Sequence, residues 1–500
     1  MVQKINGNLF KSLSPKDLLD ATYKATENFQ IRAFFEAKDE IINTEKYSEN
    51  DFYNILDAMI DGETERKIVL ERLKGSKPLF LKEIVDIIND FPPEHIIRDV
   101  IYLKEQGYIE EKIEVKIDIL KKKIKGVDKE VEGKTYFHRF FVKELPRDFI
   151  EHFFEPVTIV SDAGVCCQCG WCSSICPVNA INVTADSLEI DNDICMKCGL
   201  CYSVCPRTFL IDQASENIKK FNKSLKWSDK IGAYINTYSA STTNKKIKEV
   251  RQDGGVVTSI LHYLLEQKLV DAIVAVQHSK DFWKPEPIII ENIEDLYKTG
   301  GTKYANSPSL TILPNCKKYE KLAFVGVPCM MTALEKGSMF PCGIEFFGNV
   351  KYKIGLFCME AFPYEGIIQL LKEQFSKDLE EVKKMNIGGG KFIIDLITGE
   401  TLDVPLKDVQ QYARSNCHFC GDLTSTHADF SIGSIGSKDG WSSVITRSLE
   451  ADKIFKEMIK KGLVESSNLK DVKPGQFLVE KISGIKRSKS KPIDLYNIQK

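Results

Sequence analysis

Residues 166–206 read CCQCGWCSSICPVNAINVTADSLEIDNDICMKCGLCYSVCP. The pattern C-x2-C-x2-C-x3-C-P occurs twice in them, at Cys166, Cys169, Cys172 and Cys176 before Pro177, and at Cys195, Cys198, Cys201 and Cys205 before Pro206. A [4Fe-4S] cubane needs four thiolates converging on one centre, and three cysteines two residues apart can wrap it. Zinc favours two separated C-x2-C pairs, and disulfides give no reason for three evenly spaced cysteines followed by Cys-Pro. The stretch therefore specifies two [4Fe-4S] clusters. Cys167 falls outside the repeat and reads as a small packed thiol.

The paired motifs resemble a bacterial-type two-cluster ferredoxin, in which the fourth cysteine of each motif reaches across to the other cluster. The resemblance implies one cluster on Cys166, Cys169, Cys172 and Cys205, and a second on Cys195, Cys198, Cys201 and Cys176. Short apolar pieces at Ala180 to Val183 and Phe209 to Ile211 can keep water from the clusters.

Working outward, 500 residues exceed what one core supports and suggest about three domains. The expected class is multidomain α+β: an accessory domain over 1–150, the cluster domain over 151–225, and an α/β domain over 226–500. The 15 cysteines form no secreted-type scaffold, and Met1 to Phe10 has no apolar signal core, which points to a reducing, anaerobic cytoplasm. No apolar run approaches the roughly 20 residues that cross a bilayer, so direct membrane insertion is not expected. A net charge of -2 offers no global attraction to nucleic acid.

Residues 1–150 lack cysteine and show helical apolar spacing at Asp51 to Ile60 and Thr64 to Leu73. Leu81 to Asn89 and Pro93 to Gln106 read as helices, the second with proline near its start and Gly107 after its end. Tyr108 to Ile113 and Lys134 to Val142 read as a hairpin, so the order resembles a winged helix. The second helix would present Glu94, Arg98, Asp99, Lys104 and Glu105 to DNA, a mixed and slightly acidic set, which favours a protein-docking module. Lys121, Lys122, Lys123 and Lys125 read as a solvated face.

From about Ile231, short apolar strands alternate with helices. Gly254 and Gly255 open an amphipathic helix, Val257 to Gln267, whose free N–H groups suit a pyrophosphate; a tight turn is the simpler alternative. Gly300 to Ser307 supplies a second glycine-led loop with Lys303 and several hydroxyls, and no G-x-G-x-x-G accompanies the pair. The strands Leu322 to Val325 and Tyr352 to Phe357 lead to Cys329 and Cys358, at strand ends that share one edge in a parallel sheet. Cys417 and Cys420 complete a set of four thiols, enough for a third cluster. Packing cysteines, a zinc knuckle with His418 and a nucleophilic Cys329 remain alternatives on spacing alone. Cys316 and Cys342 read as structural, and His427 as a satisfied polar residue.

Five ordered segments, Gln252 to Leu261, Gly301 to Ser307, Phe324 to Leu334, Ile354 to Phe362 and Cys417 to Trp441, resemble the family of coenzyme F420 hydrogenase/dehydrogenase beta subunits. The resemblance covers about half the chain, and the N-terminal 150 residues lie outside it. It implies FAD, hydride exchange with the deazaflavin F420, and a third [4Fe-4S] cluster on Cys329, Cys358, Cys417 and Cys420. It further implies a flavin site formed by Gly254, Gly255, Thr258, Thr302, Lys303, Tyr304, Ser307, Gly433, Gly436 and Gly440. Lys303 and Arg414 are the expected anion contacts, with surface charge as the alternative. The implied partner is a redox protein or complex of hydrogenase, formate dehydrogenase or heterodisulfide reductase type. A deazaflavin gives a hydride whereas clusters carry single electrons, so a flavin between them converts one to the other. Two other functions compete: a ferredoxin-linked flavin reductase of another small organic substrate, and a redox-sensing regulator whose winged-helix-like part binds DNA.

Overall fold

The computed structural model describes residues 37–44, 47–73, 75–88, 90, 92–105, 109–124, 127–142, 157–196, 198–208, 219–220, 222–339 and 350–493. Phe209 to Ile211, Cys342, Lys125 and the first residue of the expected hairpin, Tyr108, lie outside them.

The N-terminal part begins with a helix at Lys38–Asn43 and a long helix at Glu49–Leu73, which joins the two helical segments expected from sequence. Strand β1 (Leu79–Phe80), helices at Leu81–Ile87 and Pro93–Glu105, and strands β2 (Ile109–Ile124) and β3 (Val127–Val142) follow. Phe80 donates its N–H to the Glu83 carboxylate at 2.7 Å, which fixes the start of the first of these helices. The sheet order is β1-β3-β2. The hairpin is far longer than the expected pair of short strands, since each arm has 16 residues. Its lysine run sits near the tip, where Lys121 faces Glu130 and Lys123 faces Asp128 in register.

The cluster-bearing part repeats one small unit. Gly170 (φ 90°) and Gly199 (φ 73°) are left-handed and open the helices Trp171–Ile175 and Leu200–Val204, while β4 (Ile181–Val183) and β5 (Leu188–Ile190) form a ribbon between them. Strands β6 (Lys226–Ser228) and β7 (Gly232–Tyr234) pair as a short ribbon beyond it.

The rest is built on β8 (Asn236–Thr242), β9 (Ala272–His278), β10 (Pro285–Ile290), β11 (Leu322–Gly326) and β12 (Val350–Leu356). A small antiparallel sheet, β13 (Val382–Gly388), β14 (Lys391–Leu396) and β15 (Thr401–Pro405), interrupts the series before β16 (Phe430–Gly433), β17 (Ser442–Thr446) and β18 (Val464–Asn468). The large sheet runs β10-β9-β11-β12-β16-β17-β8-β18. Its centre, β9-β11-β12-β16, is parallel, and the flanking pairs are antiparallel. The parallel strands read as near-continuous apolar runs because both faces are covered; all five residues of β11 are buried.

One apolar core joins all three parts of the chain. Ile41 and Phe52 from the N-terminal helices, Trp171 and Leu200 from the cluster-bearing part, and Phe324 and Met331 from the sheet region pack into a single buried group. Full burial of one such side chain contributes about 1.5–3 kcal/mol, so this shared group fixes the parts against one another. The helix Pro328–Met339 is central to that contact: a Cβ on Gly337 would lie 2.7 Å from Trp171 Cζ2, so only glycine admits the indole there.

Candidate functional site

Two cavities lie inside the cluster-bearing part. The first is lined by Cys166, Cys169, Cys172 and Cys205, with Cys167 and Pro206 beside them. The second is lined by Cys176, Cys195, Cys198 and Cys201, with Pro177 above them. Each cavity takes three thiols from one motif and the fourth from the other, because the short helices carry Cys172 and Cys201 inward and the Cys-Pro turns cross between them. Backbone N–H groups point at the sulfurs: Gln168 to Cys166 at 3.4 Å, Ala180 to Cys176 at 3.2 Å and Arg207 to Cys205 at 3.5 Å.

All these cysteines are free thiols. Burial pushes the Cys201 thiol up to about 12 and the Cys205 thiol up to about 11. A buried thiol resists ionising until a metal centre takes the place of its proton. Among the described residues, no three His, Cys, Asp or Glu side chains converge closely enough for a single metal ion. The thiols surround a volume instead.

The large sheet brings the other four cysteines together at its carboxyl edge. Cys329 lies in the first turn of the helix Pro328–Met339 after β11, Cys358 follows β12, Cys417 lies within the turn Ser415–Phe419, and Cys420 directly follows it. Cys358 is an electrostatic neighbour of Cys417 and Cys420, and Cys329 of Cys420. Burial pushes the Cys358 thiol up to about 12. Ala361 donates its N–H to Cys417 Sγ at 3.5 Å, repeating the amide-to-sulfur contacts of the two cavities.

Three buried cations surround this set. Lys486 donates to the carbonyls of Cys358 at 2.5 Å and Asp422 at 2.9 Å. Arg414, expected as an anion contact, instead donates to the Cys167 carbonyl at 3.2 Å. Arg207, from the cluster-bearing part, donates to the carbonyls of Phe419 at 3.1 Å and Asn416 at 3.3 Å. Among the described residues Arg207 Nε and Arg414 Nη2 are buried donors with no partner, as expected if sulfur of a cluster completes their bonding. Cys167 is packed, as its sequence suggested, but against both Cys169 and Cys329. Sequence pattern missed Arg207, Lys486 and this role of Cys167, because contacts between distant segments leave no spacing signal.

The glycine loops reach the same edge. Residues Tyr304 to Asn306 pair with Phe362, through Asn306 N–H to Phe362 O at 2.9 Å and Phe362 N–H to Tyr304 O at 3.1 Å. Arg414 N–H in turn donates to Ala361 O at 3.0 Å, so the loop carrying Thr302 abuts the loops carrying Cys358 and Cys417. Gln252 closes the other side, accepting from Thr302 N–H at 3.4 Å, while Lys384 donates to its carbonyl at 3.3 Å. Arg251, immediately before this motif, donates to Ser241 Oγ at 2.8 Å and Gly440 O at 3.3 Å.

The individual residues divide into packing and accessible groups. A Cβ on Gly254 would lie 2.5 Å from Ala240 O and on Gly436 2.8 Å from Gly475 O, so these two admit close backbone approach, whereas Gly433 leaves room for the Phe357 side chain, 2.3 Å from the same position. Gly255 (φ +68°) caps the start of helix Val256–Glu266, which buries Thr258. Gly301 (φ +80°) faces open space, and Gly440 faces Arg251 Nη2. Tyr304 packs edge-on to Phe392, and Ser307 Oγ meets Ser309 Oγ at 3.1 Å. Lys303 is not directed at an anion: its Nζ donates to the carbonyls of Thr299, Gly300 and Gly301 at 2.6, 2.8 and 3.1 Å, and burial lowers its pKa to about 8. Cys316 is fully buried, and His427 Nδ1 lies 3.8 Å from Glu335.

Comparison with known proteins agrees with this architecture. The family described as coenzyme F420 hydrogenase/dehydrogenase, beta subunit, matches residues 237–314 with its N-terminal part and 319–472 with its C-terminal part. A 4Fe-4S binding domain matches residues 188–208. The coenzyme F420 hydrogenase subunit beta of Methanothermobacter thermautotrophicus is 37% identical over 264 residues, covering 52% of this chain and 94% of that protein. A subunit of the F420H2 dehydrogenase of Methanosarcina mazei is 32% identical over 342 residues, covering 65% of this chain and 89% of that protein. A solved chain of the F420-reducing [NiFe] hydrogenase complex from Methanosarcina barkeri superposes with a TM-score of 0.52 at 33% identity, over 53% of this chain and 92% of its own length.

Proposed function

Since this chain belongs to the family of coenzyme F420 hydrogenase/dehydrogenase beta subunits and is an oxidoreductase subunit of that type, we propose that it exchanges a hydride with coenzyme F420 through FAD and relays single electrons through three [4Fe-4S] clusters to or from a partner redox protein. The first cluster is held by Cys166, Cys169, Cys172 and Cys205, the second by Cys176, Cys195, Cys198 and Cys201, and the third by Cys329, Cys358, Cys417 and Cys420. The observation that carries this reading is the contact of the Tyr304 to Asn306 loop with Phe362, which seats the flavin-side loops directly against the third thiol set.

FAD, when bound, exchanges a hydride with the deazaflavin and single electrons with the clusters. The protein's part is to hold and orient. Gly254 and Gly436 let the backbone loops close on one another, Gly255 and Gly433 make room for the side chains of Ile247, Thr242 and Phe357, and Gly301 and Gly440 leave room beside the site. Thr258, Thr302, Tyr304 and Ser307 supply hydroxyls and a backbone N–H around it. Arg251 and Lys384, absent from the expected set, are further cations beside these loops, each bonded to a carbonyl and facing Asp253, whereas Lys303 keeps its own loop folded.

In this reading residues 1–150 form an accessory domain of winged-helix-like order, 151–225 the ferredoxin domain and 226–500 the flavin domain. The accessory domain is a docking module for the partner, of hydrogenase, formate dehydrogenase or heterodisulfide reductase type, in the cytoplasm. DNA binding is disfavoured because Arg98, on the helix that would read a groove, is buried and donates to Asp99 Oδ1 at 2.8 Å and also to Glu65. Among the described residues no helix is long and apolar enough to cross a membrane.

The test is anaerobic purification, reconstitution with iron, sulfide and FAD, and mixing with reduced F420 and a viologen dye. Return of F420 absorbance together with dye reduction supports the proposal. A fully loaded protein that leaves reduced F420 unchanged overturns it in favour of another flavin substrate.

A further inference from the structure

Arg207 belongs in sequence to the ferredoxin motifs, two residues after Cys205, but its side chain is spent on another part of the molecule. Its two Nη groups donate to the carbonyls of Phe419 and Asn416, which flank the Cys417 and Cys420 thiols. The Asn416 side chain and Arg414 return the contact, donating to the carbonyls of Cys166 and Cys167. The first-cluster loop and the third-cluster loop thus hold each other through a reciprocal clamp. Arg207 is 6% exposed, and its Nε is buried without a partner among Cys167, Cys329, Cys417 and Cys420. A guanidinium at nine-tenths burial is retained only where it is hydrogen-bonded and faces compensating negative charge.

We propose that Arg207 is a positioning residue of the electron path, which serves the third cluster from within the ferredoxin sequence and makes the Cys166, Cys169, Cys172 and Cys205 cluster its direct redox neighbour. This rests on the third-cluster reading above. Its fixed charge and free Nε–H favour the reduced, more negative state of the third cluster, and its two carbonyl contacts hold that cluster's loop against the first. Each transfer moves one electron: the third cluster is oxidised, the first is reduced, and no bond or proton changes hands. Cys198 of the second set packs with Ile41 and Phe52 of the N-terminal helices. The proposed path therefore enters the ferredoxin part at the first cluster.

The experiment is an EPR-monitored redox titration of reconstituted wild type, Arg207→Met and Arg207→Lys, with iron counted in each. In Arg207→Met the third-cluster midpoint is expected to move negative, the first-cluster midpoint to follow it by less because Arg207 also neighbours Cys205, and the second-cluster midpoint to stay in place, while reduction of the ferredoxin clusters by reduced F420 slows about 10- to 100-fold, the usual effect of losing an outer-shell partner. The KM for F420 should not move, and Arg207→Lys should restore most of the midpoint. An unchanged third-cluster midpoint in Arg207→Met overturns the proposal. If wild type holds about eight irons instead of about twelve, the third-cluster reading itself has failed, since each cubane has four. Should the Met variant not fold, the fully reduced wild type decides: spin coupling between the third and first clusters supports this path, and coupling of the third to neither ferredoxin cluster refutes it.

Discussion

Lys336 Nζ, two turns along the helix that starts at Cys329, donates to the backbone carbonyl of Cys205 and, at 2.7 Å, to Thr208 Oγ1. One helix thus carries Cys329 in its first turn and reaches the backbone of Cys205 near its end. Lys336→Met keeps the buried stem and removes the ammonium, leaving Cys205 O and Thr208 short of a donor. Loss of such a charged hydrogen bond costs about 1.5–3 kcal/mol. The expected outcome is a lower midpoint in anaerobic denaturant unfolding, with iron content near wild type in the folded protein.

Gly337 on the same helix provides a steric test. Gly337→Ala places a Cβ 2.7 Å from Trp171 Cζ2. Overpacking of this kind costs about 1–3 kcal/mol. The indole must shift, so the expected outcome is a lower Tm together with a changed Trp fluorescence maximum; an unchanged Tm would show that the helix and the ferredoxin part separate easily.

Cys167 and Cys420 separate packing from ligation. Cys420→Ser should bring iron from about twelve to about eight per chain, four being lost with one cubane, and leave both ferredoxin EPR signals intact. Cys167→Ser should retain all the iron, because both cavities have a full set of four thiols without it. Iron analysis and low-temperature EPR of the two variants read this directly.

Glu335 carries a pH prediction. Burial raises its pKa, but Lys219, Lys353 and His427 outweigh that and hold the carboxyl well below its ordinary 4.5. A depressed folded pKa means that the stabilisation is complete above about pH 5 and is lost as pH falls through 4.5 toward the folded value. Breaking a buried ion pair from one side costs about 3–5 kcal/mol. Glu335→Gln should therefore be less stable than wild type by a constant margin at neutral pH, and the margin should narrow in acid. Urea unfolding of both proteins from pH 7 down to pH 3 measures the gap.

The cysteine spacing announced the ferredoxin cavities because ligand geometry is written locally, two or three residues at a time. The gathering of Cys329, Cys358, Cys417 and Cys420 was half legible: strand ends in a parallel sheet share an edge, but which edge loops meet depends on packing. Lys303 shows the limit. A lysine after two glycines looks like an anion contact in sequence, whereas in the fold the loop's own carbonyls, turned inward, satisfy it first. Arg251, Lys384, Arg207 and Lys486 were invisible for the converse reason, since each acts on a segment far away in the chain. The hairpin's length was hidden because its lysine-rich run reads as a solvated face, whereas the register carries both strands through it.

The notch at Gly337 that receives Trp171 has a kinetic consequence. A ferredoxin that diffuses must find its flavoprotein, so hand-off slows on dilution and with rising salt. Here a shared core and a filled notch lock the cluster-bearing part to the sheet region, so the proposed hand-off would be a unimolecular event. Its rate should be the same at nanomolar and micromolar protein, and a free two-cluster ferredoxin supplied in place of residues 151–225 should not reproduce it.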